Sequence, residues 1–171
     1  LFYEFVYTIW LKRKTPQNIV IGGASGALPP VIGWAIATNS ISLESIAFFL
    51  IIFFWTPSHF WALSLYKADD YKKAGIPMLP VTNGIQNTKK NILIYSLLMI
   101  PTIVFPYYIG FVGEVYLSLS LLLTFYYNLI CYQLYNYKVG KFNIKKARHI
   151  FSYSIIYLFL IFVFFLVDKI I

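Results

Sequence analysis

Residues 43–73, "LESIAFFLIIFFWTPSHFWALSLYKADDYKK", run from Leu43 to Tyr66 with a single carboxylate, Glu44, near the start, and then break into charge at Lys67. At 1.5 Å per residue, a helix over the apolar part is about 36 Å long. That is enough to cross the ~30 Å hydrocarbon core of a bilayer. The charged tail marks where such a helix meets water. Similar apolar runs recur near 19–38, 92–110, 115–137 and 150–167, with a partial one over 1–11. The whole chain is 60% hydrophobic and 12% charged, with a mean hydropathy of +0.71, far from the balance of a soluble domain. The expected fold is therefore all-α: a polytopic transmembrane helical bundle of five full spans plus one partial. No internal repeat or low-complexity tract divides residues 1–171, so one transmembrane domain is expected. The chain opens at Leu1 inside an apolar run, without an initiator Met or a basic leader, so an N-terminally incomplete protein is expected.

The net charge of +8 raises the question of a polyanionic partner, and the placement of the cations answers it. All 14 Lys and Arg fall in the first loop (Lys12, Arg13, Lys14), the third (Lys67, Lys72, Lys73, Lys89, Lys90), the fifth (Lys138, Lys141, Lys145, Lys146, Arg148) or the tail (Lys169). The loops near Asn39 and Gly113 have none. The positive-inside rule produces this alternation with no nucleic acid involved. It puts loops one, three and five on the cytoplasmic side, membrane lipid around the spans, and the C-terminus outside. Cys131 is the sole cysteine and lies within a span, which excludes a disulfide framework or a cysteine metal site.

Two inside loops, 67–91 and 138–149, are longer than a hairpin needs, and long ordered loops in compact bundles tend to carry function. In the first, "AGIPMLPVTNG" has the prolines and glycines that stop a helix ending near Tyr71. In the span "TPQNIVIGGASGALPPVIGW", Gly22 and Gly26 share a face on which a neighbouring backbone can approach closely. Pro29 and Pro30 free carbonyls that must be satisfied by neighbours or line a wet cavity, so this span reads either as a chamber wall or as a proline-kinked helix.

His59 lies about 10 Å below the inside surface, where an ionisable side chain turns to an interior cavity or a partner. Stepping about 100° per residue puts Trp55, His59, Leu63 and Tyr66 on one stripe, joined by Asp70 if the helix persists. The functional reading is a buried pocket lined by Trp55, His59 and Tyr66 with a carboxylate at its mouth. The structural reading is a histidine hydrogen-bonded within the bundle beside Pro57. Asp69 and Asp70 are the sharper signal. As exposed partners of Lys72 and Lys73 they contribute only ~0–1 kcal/mol. As ligands of Mg²⁺, which takes one or two carboxylates and completes its octahedron with water and phosphate oxygens, they make sense of the surrounding lysines. Metal and ammonium together hold a diphosphate. Aromatic faces beneath such a site shelter the carbocation left when an allylic diphosphate ionises. In the first loop, Lys12, Arg13 and Lys14 precede Thr15-Pro16, a helix start, so Gln17 and Asn18 fall where free amides meet an anion.

"YTIWLKRKTPQNIVIGGASGALPPVIGW" (7–34) and "WTPSHFWALSLYKADDYKKAGIPMLPV" (55–81) together resemble the haem-farnesylating branch of the UbiA membrane prenyltransferase superfamily. The likeness is specific through about residue 90, and the later helices fit by pattern. The resemblance implies about nine helices around a chamber open to the cytoplasm, in an order that agrees with the lysine-derived topology. It implies Mg²⁺-assisted departure of diphosphate from farnesyl diphosphate and attack by a vinyl group of haem b, giving haem O. Haem A synthase becomes a possible partner. Carried over, Asp69 and Asp70 are metal ligands and, with Lys67 and Tyr66, the catalytic group. Lys72, Lys73, Lys12 and Arg13 bind diphosphate; His59, Trp55, Trp61 and Asn18 contact haem or substrate. The aspartates are adjacent here, whereas many family members space them four apart, which enlarges the lysine share of this loop. The family's first Asp-rich motif, expected upstream, is absent from this sequence, so residues 1–171 alone are expected to be inactive. A bacterial inner membrane fits the Lys-, Ile-, Asn- and Tyr-rich usage better than a mitochondrial one. A quinone or chlorophyll-type acceptor, and a haem-binding membrane protein without chemistry, stay open.

Overall fold

The structure, a computed structural model, describes residue 15, residues 17–137 and residues 143–170. The partial span over 1–11 and the cations Lys12 and Arg13 lie outside the described residues. Seven helices follow in order: α1 (Asn18–Thr38), α2 (Leu43–Tyr66), α3 (Ala68–Lys73), α4 (Leu79–Thr82), α5 (Gly84–Tyr108), α6 (Glu114–Tyr135) and α7 (Ile144–Ile170). All but α3 and α4 are long and apolar enough to cross a membrane. Helix is the form that satisfies every backbone amide within the segment, and hydrocarbon offers those groups no water.

The expected spans match α1, α2 and α6 closely, but α5 begins at Gly84 rather than near 92, and α7 extends from Ile144 to Ile170 rather than over 150–167. Hydropathy marks the part of a helix in lipid, not its ends. "GIQNTKKN" and "IKKARH" are polar but rich in Gln, Lys, Arg and Ala, good helix formers that prolong α5 and α7 past the apolar zone.

α2 is the centre of the assembly. It packs against α1, α5 and α7, and α6 closes a ring by packing between α5 and α7. Among the described residues α1 touches no other helix than α2. The close approach of these two is at Gly23, where an added Cβ would come within 3.1 Å of Thr56 Cγ2. Gly26, on the face singled out in the sequence, has nothing within 4 Å of the same position. Gly22 and Gly26 line a cavity, and the close approach expected of their face is made by Gly23.

The loop expected over 67–91 is compact. Gly75, at φ +64°, reverses the chain after α3, a conformation in which a Cβ is strained. Leu79 and Pro80 of α4 are buried, and α4 packs on α5 and α2. At the opposite end, α6 starts after Gly113, which has no side chain to cap it. Asp168 of α7 supplies the cap: its carboxylate accepts from the Gly113 N–H at 2.7 Å and the Tyr116 N–H at 3.0 Å. The adjacent Lys169 donates to the Phe111 carbonyl and lies 4.6 Å over the Phe111 ring. The end of α7 thereby holds the α5–α6 turn. Asp168→Ala should cost about 0.5–2 kcal/mol of stability, measured by unfolding in detergent micelles, and Asp168→Asn should recover part of it; equal stability of Ala and wild type would contradict the cap.

Candidate functional site

The stripe predicted on α2 exists, and α7 covers it. His59 is buried, at 6% exposure, and its ring lies between Trp55 (centroids 4.3 Å apart, 18° between planes) and Phe151 (4.5 Å, 24°). His59 Nδ1 is 2.6 Å from Ser154 Oγ, and Trp55 Nε1 donates to the Ser154 carbonyl at 2.8 Å. Tyr66 meets Phe151 edge-on at 6.1 Å, and the Arg148 guanidinium sits 5.4 Å from the Tyr66 ring. The expected pocket lined by Trp55, His59 and Tyr66 together is thus not open: Phe151 and Ser154 fill it. Helical periodicity shows which residues share a face and is silent on what packs there.

A cavity of about 280 Å³ lies between α1 and α2, lined by Gly22, Gly26, Ile52, Trp55 and Phe60 among others. Of the predicted aromatic and histidine residues only Trp55 reaches it. Trp61 faces the other way, fully buried against α5, its ring edge-on to Tyr95 at 5.1 Å. Asn18 is buried at the start of α1.

The charged cluster stands apart from this interior. α2 ends at Tyr66, and Lys67, with φ −112° and ψ 15°, breaks the chain before α3. Extrapolating one helix to Asp70 therefore fails, and the carboxylate does not extend the Trp55–His59 stripe. The cause is local: Lys67 leaves helical geometry, so the 100° count restarts. Asp69, Asp70, Lys72 and Lys73 are all exposed on α3. Lys67 Nζ binds Asp70 Oδ2 at 2.9 Å. That hydrogen bond and the Lys67 charge, with a smaller contribution from Lys73, hold the Asp70 carboxyl below its ordinary range. Neighbouring residues on a helix point about 100° apart, so Asp69 and Asp70 do not form a two-carboxylate clamp. No cluster of three or more His, Cys, Asp or Glu occurs among the described residues. A protein-built metal cage is therefore not what this loop offers; one free carboxylate beside several ammonium groups suits an ion carried largely by phosphate oxygens and water.

Several residues escaped the sequence reading. Arg148, Phe151 and Ser154 on α7 complete the surroundings of Tyr66 and His59. Their signal was present in "RHIFSYSIIY" (148–157), where polar side chains at three- and four-residue spacing enter an apolar span and so turn inward. The same logic picks out the bonds that tie the ring: Ser58 Oγ to Tyr127 OH at 2.8 Å, Thr124 Oγ1 to Tyr157 OH at 2.9 Å, and Ser96 Oγ to Asn128 Oδ1 at 3.0 Å. Lys89, expected among the loop cations, is instead buried in α5, donating to the Tyr137 carbonyl at 3.1 Å. It was misplaced because α5 begins earlier than its apolar segment.

Five membrane-length helices around an aromatic and hydroxyl-rich interior, with carboxylates and lysines gathered on one connecting segment, define a polytopic α-helical integral membrane protein. The family model of the UbiA prenyltransferase family matches residues 1–156, and the chain belongs to that family. It is 75% identical over 170 residues to the protoheme IX farnesyltransferase of Pelagibacter ubique, an alignment covering 99% of this chain and 56% of that protein. It is 50% identical over 168 residues to the protein of the same name from Parvibaculum lavamentivorans (98% and 53% covered). With that of Azorhizobium caulinodans it shares 52% over 161 residues (94% and 52%). The chain thus spans about half the length of the curated relatives it matches. No solved structure matches it.

The Lys67–Asp70 pair has a direct check. In Lys67→Met the Asp70 carboxyl should titrate higher, toward the ordinary carboxylate range, because both the hydrogen bond and the charge that lower it are gone. Carboxyl-carbon NMR of the two proteins reads this shift; an unmoved midpoint would mean that the pair does not form in solution.

Proposed function

We propose that the protein transfers the farnesyl group of farnesyl diphosphate to a vinyl group of protohaem IX, yielding haem O. The observation that carries this reading is the 75% identity, across nearly the whole chain, to a protein named for that activity. The interior supports it through the cavity between α1 and α2, whose lining of Gly22, Gly26, Ile52, Trp55 and Phe60 suits an isoprenoid chain.

In this mechanism the allylic C–O bond of farnesyl diphosphate breaks and the diphosphate departs with the bonding electrons. A vinyl carbon of haem b attacks the allylic carbon, and water captures the resulting cation and gives up a proton to solvent to leave a hydroxyethyl-farnesyl substituent. Magnesium, when bound, supplies charge neutralisation on the diphosphate. Asp69 would hold it, as the carboxylate not already engaged by a lysine, with Asp70 kept in place by Lys67. Lys72 and Lys73 bind diphosphate oxygens as charge-assisted donors, each such bond contributing roughly 1.5–3 kcal/mol. Tyr66, under the Arg148 guanidinium, stands where α2 gives way to the charged segment and orients the substrate's polar end. His59 and Trp55 contact the porphyrin. Lys12 and Arg13 add to the anion site in this reading. The expected setting is a bacterial inner membrane with the charged loop facing the cytoplasm, and haem A synthase is the proposed recipient of the product.

Incubating the intact protein with haem b, farnesyl diphosphate and Mg²⁺ and taking a mass spectrum of the extracted haem tests the proposal. Haem gaining a farnesyl and a hydroxyl group is the expected product, and haem left unchanged would overturn the acceptor. Asp69→Asn and Lys72→Met should each lower kcat/KM about 10-fold or more while leaving membrane insertion intact.

A further inference from the structure

Ser154 receives two side chains from α2, and its hydroxyl has its own acceptor. Ser154 Oγ donates to the Phe151 carbonyl at 2.6 Å, the bond a helical serine makes one turn back. A hydroxyl carries one hydrogen, so with that hydrogen spent on Phe151 the oxygen meets His59 Nδ1 as an acceptor. His59 must then carry its proton on Nδ1. Its other nitrogen, Nε2, has no hydrogen-bond partner among the described residues. Trp55 on one face, Phe151 on the other and Phe60 edge-on at 5.0 Å hold the plane of the ring, and a half-turn within that plane would replace Nδ1 by a carbon opposite Ser154 and lose the bond. The Trp55 indole is itself tied to the Ser154 carbonyl, so one residue of α7 sets both the clamp and the tautomer. An imidazole that donates one N–H to a fixed acceptor is the arrangement that makes the opposite nitrogen a more basic and better oriented metal ligand.

We propose that Ser154 is a positioning residue that fixes His59 as the Nδ1–H tautomer, so that the Nε2 lone pair is the atom presented to the haem iron. The haem part of this inference rests on the function proposed above; the tautomer part does not.

Two measurements on the intact protein in detergent separate them. Nitrogen NMR of ¹⁵N-histidine-labelled protein, with His59 assigned by His59→Ala, should show Nδ1 protonated and Nε2 unprotonated in wild type. Ser154→Ala should lose that preference, Ser154→Thr should retain it, and Trp55→Phe should leave it unchanged, which a general loosening of the α2–α7 contact would not. A protonated Nε2 in wild type, or a tautomer indifferent to Ser154→Ala, overturns the proposal. The second measurement is ferric haem b titration followed in the Soret band and by electron paramagnetic resonance. Ser154→Ala should bind about 10–100-fold more weakly and lose the imidazole-ligated signature, with Ser154→Thr restoring it. If the tautomer is as expected and haem spectra do not respond to either Ser154→Ala or His59→Ala, the iron contact is wrong. Farnesylated haem in the product assay despite that result would leave the proposed function standing.

Discussion

Hydrocarbon gives polar groups no partner, and that constraint organises this molecule. The helices that cross it must satisfy their own backbone and hide any side chain that hydrogen-bonds. α2, α5, α6 and α7 do so by pairing those side chains with one another. Ser58 meets Tyr127, Thr124 meets Tyr157, Ser96 meets Asn128, and His59 and Trp55 both meet Ser154. Between membrane helices such a bond contributes roughly 0.6–2 kcal/mol, because apolar surface gains nothing by leaving lipid. Their value lies equally in specificity: each bond is made in one rotational setting of the helices, so together they set which face of each helix looks inward. α1 meets α2 closely at Gly23 and Thr56.

The same constraint divides labour along the membrane normal. Charges that cannot be buried collect where the helices end. At one end Asp168 and Lys169 close the α5–α6 turn; at the other, α3 presents Asp69, Asp70, Lys72 and Lys73 to water. The first group is used up in holding the turn, whereas the side chains of the second are exposed on a short helix. Tyr66 and Arg148 lie at the junction, the aromatic ring belonging to one zone and the guanidinium to the other. Exposure of the two aspartates on α3 means that they contribute little to the packing of the bundle.

Much of this was legible in the linear sequence. Long apolar runs, the alternation of lysine-bearing and lysine-free loops, and the charged segment after Tyr66 each depend on a local quantity, hydropathy or charge summed over neighbours. Such quantities survive without knowledge of the partner. The motif around His59 and the Asp-Asp pair could likewise be located, and the residues sharing the His59 face were named correctly as far as Tyr66. The count failed at Asp70, one break past the end of the helix, and it failed for Lys89, where polar helix was taken for loop.

Span number, helix-facing periodicity and the segregation of charge were thus determined by the amino-acid sequence alone, since each follows from how a stretch of residues partitions between water and lipid. What covers the His59 face, which glycine of α1 touches α2, what caps α6 and which hydroxyl meets the His59 ring were decided only by the tertiary structure. Those outcomes join residues as far apart as Trp55 and Ser154, or Gly113 and Asp168, and a contact between distant segments exists only once every helix in the ring has taken its place.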